Sequence, residues 1–356
     1  MCSEFQRIKT RMGIKRFFLY NLIPPFSHSH FHFCVFETEY SPNMDFLIPP
    51  DIGKQYQILQ PLAQGKFGNV FLGKIKKTDE TIIIKQGIHP QSTSSQPQQQ
   101  IQPNKSKNSG GTAAIETIRH EAEILTFLNQ DVQCRKHIPF IHWYGLCSKG
   151  IYCIAMSYIP TAPLRPFSDE YSPIEYEKHL QQMLCEIVQA LKAIHQKGIL
   201  HRDLKPENIL YNQTKRRWYL IDFGLATFYQ DEDGNHKPPT TPPRKHMIGT
   251  PNFVSCFIHE GQDPSRRDDI IALGNVAWWL RNRGSWHPTD SEKTLTWEQT
   301  VECKKALIQQ PVALEKTTEN FFRIKMVSFI KKCYSLSFMD IPPYDLISNF
   351  FTTSKV

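Results

Sequence analysis

The sequence lacks the long apolar run and the paired cysteines that would mark a membrane protein or a secreted one. No stretch approaches the roughly 18 consecutive apolar residues of a membrane span. The nine cysteines are odd in number, scattered and without a C-x-x-C pair, which argues against a disulfide framework and a cysteine zinc site. We therefore expect free thiols and an intracellular protein, in the cytoplasm, the nucleus or both.

The chain also lacks a clustered basic stripe beyond its N-terminus, although its formal charge is +8. A nucleic-acid-binding protein usually carries such a stripe, so we expect no nucleic-acid partner. A basic face on an enzyme that binds phosphate groups is the simpler explanation. With 356 residues and no internal repeat, the chain is long enough for one large two-lobed domain.

Composition separates a folded part from segments of another character. Residues 1–50 are expected to be a disordered extension, 51–351 the folded domain, and 352–356 a short tail. Residues 86–112 are rich in Gln, Ser, Pro and Asn, a composition that cannot bury a core and predicts a flexible insert. The insert is either a docking segment or, more simply, a neutral expansion.

The N-terminal extension has two further features. Met44 is an alternative start, so residues 1–43 are expected to be disordered or not always translated. His28, His30 and His32 alternate and would share one face of a strand, which allows a metal site, but so short a tract is weak evidence.

Strand-like patterns precede helix-like ones along the chain. Runs of β-branched and apolar residues predict strands at 57–59, 69–72, 81–85, 138–141 and 151–156. Apolar residues spaced by three and four predict one helix, at 113–128, between the third and fourth strands. The remaining pattern is mainly helical. We therefore predict an α+β protein, with a five-stranded antiparallel sheet plus one helix followed by a helical part.

The helical part offers three specific expectations. Its longest apolar stripe runs from Tyr176 to Ile194 and predicts a core helix. Trp286 and Trp297 are expected to anchor the core. Asp269 stands at the start of an apolar helix, where it could cap that helix or hold the backbone of a neighbouring loop.

The candidate catalytic residues lie in two short motifs, H-R-D-L-K-P-E-N at 201–208 and D-F-G at 222–224. They supply a carboxylate, an ammonium, a carboxamide and a second carboxylate. Transfer of a phosphoryl group to a hydroxyl requires that set: a base to orient the hydroxyl, a cation for the γ-phosphate, and two oxygen ligands for Mg²⁺. An ordinary charged surface loop rarely reproduces both motifs in this order.

A lysine further upstream is consistent with the same chemistry. Lys85 ends an apolar strand, where burial of its charge is costly unless it meets an anion. Nucleotide phosphates and a helix glutamate would be such anions. Glu121 and Glu123 are the candidates, but they point to different faces of the helix, so only one can pair. The preceding hairpin carries Gly65 and Gly68, which would let backbone N–H groups approach phosphate, although a glycine hairpin alone is a weak signal.

These motifs make the chain resemble a eukaryotic protein kinase, and specifically the casein kinase 1 group. The stretch S-R-R-D-D at 265–269, after Gly249-Thr250, takes the place of the usual A-P-E segment. The similarity covers roughly Tyr56 to Phe351 without the insert, and the casein kinase 1 and vaccinia-related kinase branches are both compatible with it. The resemblance implies the bilobal kinase fold, with an N-lobe at 51–157 and a C-lobe at 158–351.

The resemblance also implies roles for the motif residues. Asp203 would be the catalytic base and Lys205 would steady the γ-phosphate, while Asn208 and Asp222 would hold Mg²⁺. A lysine two residues after the catalytic aspartate is the serine/threonine-kinase pattern. The implied cofactors are therefore ATP and Mg²⁺, and the implied partners are protein substrates with Ser or Thr acceptors, bound by a monomer.

The implied nucleotide-binding residues are Leu62, Ala63, Gly65, Gly68, Val70, Lys85, Glu121, Met156, Tyr158, Ile159, Leu210 and Ile221. Lys85 would bind the α- and β-phosphates, and the resemblance favours Glu121 over Glu123 as its partner. Met156 would be the gatekeeper beside the adenine.

Several departures from the group's pattern bear on function. Ala63 replaces the first loop glycine, and Ile83 replaces a small alanine over the adenine, so the pocket should be tighter. Asn252 replaces an arginine that reads phosphorylated or acidic substrates, although Lys245 is kept, which leaves a preference for such substrates open. A pseudokinase scaffold is the alternative, favoured only by Ala63 and Ile83. A small-molecule kinase would not need the S-R-R-D-D segment.

Overall fold

The computed structural model describes residues 50–65, 68–87, 109–147, 151–160, 164–168, 170–286, 295–309 and 318–352. Within these residues, a five-stranded antiparallel sheet and one long helix precede a mainly helical part. The predicted α+β class is therefore confirmed. The expectations for residues 1–49, including the histidine tract and the alternative start, lie outside the described residues. Residues 88–108 of the predicted insert also lie outside them.

The sheet has the strand order β1-β2-β3-β5-β4. Its strands are β1 Tyr56–Gly65, β2 Gly68–Ile75, β3 Thr81–Gly87, β4 Ile141–Leu146 and β5 Tyr152–Ser157. A short helix α1, Pro50–Gln55, leads into β1, and the long helix α2, Ser109–Leu128, packs on β3, β4 and β5. β3 extends to Gly87 and α2 begins at Ser109, so these two elements reach into the range 86–112 that the composition assigned to the insert.

The two faces of the sheet carry different side chains of β3. Ile82 and Ile84 of β3 are fully buried in a small apolar cluster on one face. Because side chains alternate along a strand, Ile83 and Lys85 lie on the other face. There Lys85 stands opposite Val70 of β2, and Ile83 stands opposite Met156 of β5.

The fourth strand begins later than its predicted position at 138–141, because β4 starts at Ile141. Pro139 has no N–H to donate to a neighbouring strand. Instead, the Asn129 side chain donates to the Pro139 carbonyl at 3.1 Å and accepts the Ile141 amide at 3.1 Å. One side chain therefore holds the segment that the sequence pattern assigned to a strand.

The second part of the chain contains helices and two short strand pairs. The helices are α3 Pro173–Gln196, α4 Cys256–His259, α5 Arg266–Arg281, α6 Trp297–Gln309, α7 Thr318–Tyr334 and α8 Tyr344–Thr352. The strand pairs are β6 Ile199–Leu200 with β9 Thr227–Phe228, and β7 Ile209–Asn212 with β8 Arg217–Leu220. The stripe from Tyr176 to Ile194 is the buried face of α3, as predicted. In the described part of the chain, no helix has the length and apolarity needed to cross a membrane.

Of the two predicted tryptophan anchors, only one is in the core. Trp286 is buried, whereas Trp297 is 54% exposed and its ring stacks on that of His259, with centroids 6.0 Å apart. Trp297 is the first residue of α6, and the whole turn from 296 to 299 is exposed. The prediction for Trp297 is therefore wrong, because composition alone does not show which end of a helix reaches the core.

Candidate active site

The loop that carries H-R-D lies between β6 and β7 and is placed by the end of α3. Gly198, just beyond that helix, has a φ of +77°, a left-handed conformation that glycine adopts without strain. A Cβ at this position would also collide with the side chain of Gln230. The chain turns there into β6, which pairs with β9, so the loop starts from a fixed point of the core.

Asp269, in the first turn of α5, holds this loop from below. Its carboxylate accepts the His201 amide at 2.8 Å, the Arg202 amide at 2.9 Å and His195 Nε2 at 2.9 Å. Burial alone would raise the pKa of Asp269, but these donors outweigh it and lower the pKa. Arg202 has a φ of +69°, which is uncommon for a residue other than glycine, and the bonds to Asp269 offset that strain. Capping of α5, the other expectation for Asp269, is carried out by Ser265 together with Asp268.

His201 connects the two motifs of the site. Its ring is fully buried, which lowers its pKa and keeps it neutral. The neutral ring donates from Nε2 to the Ile221 carbonyl at 3.1 Å and accepts the Asp203 amide on Nδ1 at 3.3 Å. It also meets the ring of Phe223 edge to face, with centroids 4.9 Å apart. The H-R-D loop and the D-F-G segment therefore form one hydrogen-bonded unit.

The carboxylate of Asp203 is held on both of its oxygens. Lys205 Nζ lies 2.6 Å from Oδ2, and the Thr250 hydroxyl donates to Oδ1 at 2.6 Å. Asn208 donates to the Asp203 backbone carbonyl at 2.8 Å and to Oδ2 at 3.3 Å. Asp203 is only 6% exposed. Such a carboxylate has a fixed direction and is suited to orient an incoming hydroxyl.

Thr250 is a site residue that the sequence reasoning missed, since Gly249-Thr250 served only as a marker of resemblance. Gly249 has a φ of +99°, and a Cβ there would lie 2.6 Å from the Arg202 carbonyl oxygen. The chain can pass this close to the H-R-D loop only with glycine at that position. The glycine directly before a hydroxyl residue was the available signal.

On the sheet side of the site, Lys85 bridges two carboxylates. Its Nζ lies 2.6 Å from Glu121 Oε1 and 3.5 Å from Asp222 Oδ1. Glu123 faces away and pairs with Arg119 at 3.2 Å, so Glu121 is the glutamate that meets the lysine. This chain of charges joins β3, α2 and the D-F-G segment.

The charges of the site reinforce one another. Burial alone would lower the pKa of Lys85, but Glu121 and Asp222 outweigh it and raise the pKa, so the lysine is cationic at neutral pH. Burial likewise opposes the charge of Lys205, and Asp203 and Asp222 reverse that effect and raise its pKa. The pKa of Asp222 is lowered, because the two lysines outweigh the effect of burial. Lys85 and Lys205 are therefore cationic and Asp222 is ionised at neutral pH. Such a set of charges is suited to bind an anionic substrate together with a metal ion.

The other predicted nucleotide contacts lie on several elements of both parts of the chain. Leu62, Ala63 and Gly65 lie on β1, Gly68 and Val70 on β2, Met156 at the end of β5, Tyr158 and Ile159 just after it, Leu210 on β7, and Ile221 just after β8. Gly68 has a φ of +143°, and a Cβ there would overlap the backbone oxygen of Gln86. The hairpin therefore requires glycine at this position for packing as well as for any approach to phosphate.

Asn208 and Asp222 have the chemistry of a magnesium site. The Ile221 amide donates to the Asn208 carbonyl at 2.9 Å, which puts the two predicted ligands on bonded segments. Asn208 uses its NH₂ group on Asp203, so its side-chain oxygen is the remaining acceptor, and the Asp222 side chain is 43% exposed. Mg²⁺ is commonly held by one or two protein oxygens with substrate phosphates and water, and these residues fit that pattern. Among the described residues no cluster of three His, Cys, Asp or Glu side chains could hold a metal alone.

A comparison with known families agrees with this arrangement. A model of the protein kinase domain matches residues 56–340, which include the five-stranded sheet, the H-R-D loop and the helices through α7. The five-stranded sheet with its helix and the mainly helical second part correspond to the two lobes of that fold. The match supports ATP binding and phosphotransferase activity on protein substrates. The chain belongs to the protein kinase domain family.

Proposed function

We propose that the protein is an ATP- and Mg²⁺-dependent serine/threonine protein kinase of the casein kinase 1 type. The observation that carries this proposal is the fixed Asp203 carboxylate, with Lys205 and Thr250 each 2.6 Å away. Phosphoryl transfer needs a carboxylate that orients the acceptor hydroxyl and a nearby cation that binds the γ-phosphate of ATP. Asp203 and Lys205 would supply the two.

In the proposed mechanism, Asp203 accepts a hydrogen bond from the acceptor hydroxyl and takes its proton as that oxygen bonds to the γ-phosphorus of ATP. The bond from the γ-phosphorus to the bridging oxygen breaks at the same time, and ADP leaves. Lys205 stays cationic beside that carboxylate and stabilises negative charge on the transferred group. Lys85, held by Glu121, binds the non-transferred phosphates. Asn208 and Asp222 would hold Mg²⁺, which neutralises phosphate charge when bound. Leu62, Val70, Leu210 and Ile221 would enclose the adenine, with Met156 at the back and Tyr158 and Ile159 at its edge.

Preference for Ser and Thr over Tyr is supported by Thr250. Its hydroxyl contacts the same carboxylate that would orient the acceptor, so the chain after Gly249 lies close to Asp203. A short aliphatic hydroxyl fits beside a carboxylate approached this closely, whereas a phenol would hold the substrate backbone several ångströms further out.

The casein kinase 1 type is supported by the S-R-R-D-D segment, whose side chains are all buried and bind neighbouring parts of the fold. Ser265 and Asp268 form the capping box of α5. The guanidinium of Arg267 lies 3.6 Å from the ring centroid of Phe257 and donates to the Leu336 carbonyl at 3.0 Å. The segment therefore joins α4, α5 and the chain beyond α7, in place of an A-P-E motif.

The test is transfer of the γ-phosphate from Mg·ATP to casein and to a basic protein, followed by identification of the phosphorylated amino acid. Asp203→Asn should lower kcat by about 10² to 10⁴-fold, as expected for loss of a general base, while nucleotide binding is kept. Asp233→Asn makes the same chemical change in an exposed loop and should leave kcat unchanged.

The outcomes separate the parts of the proposal. Phosphoserine or phosphothreonine in casein, lost only in Asp203→Asn, supports all of it. Phosphotyrosine would overturn the acceptor assignment, and preference for the basic protein would count against the casein kinase 1 type. If wild type and Asp203→Asn were equally inert while both bound partner proteins, the scaffold alternative would replace the kinase.

A further inference from the structure

Lys304 of α6 is a buried lysine that the proposed mechanism does not use. It is 1% exposed, and its Nζ lies 2.9 Å from the Pro251 carbonyl oxygen and 2.8 Å from that of Val254. The ring of Trp286 lies beneath it, with Nζ 5.2 Å from the centroid. Among the described residues no carboxylate forms an ion pair with it. Burial of an amine costs free energy unless the amine is hydrogen-bonded. Here the bonds go to the backbone carbonyls of one short segment, which ties the lysine to that segment.

The segment in question, 251–254, is irregular, yet each of its four carbonyls accepts a bond from a side chain. Lys304 serves the first and the last. The indole N–H of Trp286 donates to Asn252 at 3.1 Å, and the Asn275 side chain donates to Phe253 at 2.8 Å and to Val254 at 3.3 Å. Within the segment, the amides of Phe253 and Val254 donate back to the Thr250 carbonyl, at 2.9 and 3.1 Å. Side chains from α5, α6 and the loop between them thus take the place of a strand partner.

This segment begins at the residue that touches the catalytic carboxylate. Thr250 donates to Asp203, so residues 251–254 lead directly away from the point where an acceptor hydroxyl must sit. Pro251 is exposed and Asn252 half exposed, while Phe253 and Val254 are buried beneath them. A peptide whose hydroxyl reaches Asp203 must run along this surface.

We propose that Lys304 is a positioning residue for the protein substrate, which fixes segment 251–254 by binding the carbonyls at both of its ends. The inference rests on the proposed function, because it assigns Lys304 a part in binding the acceptor protein. Lys304 does not touch the reacting atoms and acts only through the segment.

The surroundings of Lys304 suit a neutral amine. Its pKa is lowered to about 7, by burial, with only Cys256 acting in the opposite direction. His259 Nε2 lies 3.3 Å from Lys304 Nζ and 3.1 Å from the Pro251 carbonyl oxygen. The pKa of His259 is lowered to about 4, chiefly by burial, so its ring is neutral as well.

Hydrogen-bond counting gives the same answer as burial. A neutral amine has two N–H groups for the two carbonyls and one lone pair that can face an N–H on His259 Nε2. An ammonium has three N–H groups and needs His259 Nε2 as an acceptor. His259 Nδ1 is buried and has no partner among the described residues in either tautomer, so it does not decide between them. The Pro251 carbonyl, 3.1 Å from His259 Nε2, can only accept and therefore favours the tautomer with the proton on Nε2. A neutral Lys304 can turn its lone pair toward that N–H, whereas an ammonium would oppose it with a third N–H.

The test compares Lys304→Met with Lys305→Met, a neighbour on α6 that is half exposed and pairs with Glu260 at 2.8 Å. Steady-state kinetics with casein and ATP should show the KM for casein at least about fivefold higher in Lys304→Met, with the KM for ATP changed less than twofold. Hydrogen–deuterium exchange should be faster in residues 249–255 of that variant and unchanged near Lys85. Lys305→Met should match wild type in all three measurements.

A merely structural role for Lys304 would lower the melting temperature and the active fraction without moving one KM relative to the other. Unchanged KM for casein together with unchanged exchange in 249–255 would overturn the inference. If Lys304→Met does not fold, Trp286→Phe removes the N–H that binds the Asn252 carbonyl, together with part of the ring beneath Lys304. It should produce the same pattern more weakly, and wild-type values there would also overturn the inference. If wild type phosphorylates no protein, the proposed function fails, and the exchange measurement still decides whether Lys304 fixes the segment.

Discussion

Two buried lysines, one in each lobe, show how surroundings decide what an amine can do. Lys85 of the sheet lies between the carboxylates of Glu121 and Asp222, and its pKa is raised. Lys304 of α6 lies between two backbone carbonyls and a neutral imidazole, and its pKa is lowered to about 7. Burial pushes both pKa values down, so the difference comes from the partners.

The contrast separates two uses of the same side chain. A carboxylate compensates for lost hydration of an ammonium with a full opposite charge, whereas a carbonyl offers only a dipole. Lys85 therefore keeps a charge that can be offered to phosphate. Lys304 is suited to hold a backbone in place, since a neutral amine still donates two hydrogen bonds.

Removing the charged lysine should have the largest effect. Lys85→Met keeps the length of the side chain but leaves Glu121 buried without a cation and the phosphates without their partner. We expect kcat/KM to fall about 10² to 10³-fold, the range for loss of one preorganised electrostatic donor. Phosphate transfer to casein measures it.

The matched control for Lys85→Met is Lys192→Met, which removes a lysine paired with Asp345 away from the site, at 2.7 Å. It should keep kcat/KM within about twofold, because exposed ion pairs contribute little. If Lys85→Met retained nearly full activity, the charge of Lys85 would not be needed to bind phosphate. The proposed difference in function between Lys85 and Lys304 would then be wrong.

A smaller effect is expected when Lys85 keeps its charge but loses its partner. Glu121→Gln retains a hydrogen-bond acceptor 2.6 Å from the lysine and removes the negative charge. With Asp222 still nearby, Lys85 should stay cationic but become less well oriented. We expect the KM for ATP to rise about tenfold, equivalent to about 1.4 kcal/mol.

Glu123→Gln is the control for Glu121→Gln, because Glu123 is on the same helix and pairs with Arg119 instead of Lys85. Its KM for ATP should equal that of wild type. Equal effects of the two substitutions would mean that the pairing seen in the structure does not orient Lys85.

Much of the fold and of the site could be predicted because the relevant residues are close in sequence. Asp203, Lys205 and Asn208 stand in one loop, and the apolar β-branched run before Lys85 was enough to place that lysine at the end of a strand. The choice between Glu121 and Glu123 needed the rotation of α2 relative to the sheet, which the resemblance implied and spacing alone left open.

What could not be predicted depends on contacts between distant segments. Thr250 reaches Asp203 across 47 positions, and Lys304 reaches Pro251 across 53. Nothing in the local pattern of α6 distinguishes Lys304, which is buried, from Lys305, which is half exposed. The late start of β4 depends on a contact of shorter range, because the side chain of Asn129, directly after α2, binds the backbone at Pro139 and Ile141.

The smallest expected effect is a difference in how stability depends on pH. Between about pH 8 and 9, an unfolded lysine, with its ordinary pKa of 10.5, is protonated, whereas folded Lys304, with its pKa lowered to about 7, has lost most of its proton. Unfolding then takes up a proton, so the free energy of unfolding should rise with pH. Relative to Lys304→Met, which has no such group, the wild-type value should gain up to about 1.4 kcal/mol per pH unit. Denaturant unfolding at several pH values measures it.

Lys85 should contribute nothing to this slope. Its folded pKa is raised above the unfolded value, so its contribution is complete below the ordinary pKa and is lost only as the pH rises through the higher folded value, beyond the tested window. His259 and Cys256, which face Lys304, are present in both proteins, and their contributions cancel to first order. The Lys305–Glu260 pair beside Lys304 is also the same in both proteins. Parallel curves for wild type and Lys304→Met would show that Lys304 stays charged. Carbonyl dipoles would then be sufficient partners for a buried ammonium, and the distinction between the two lysines would rest on position alone.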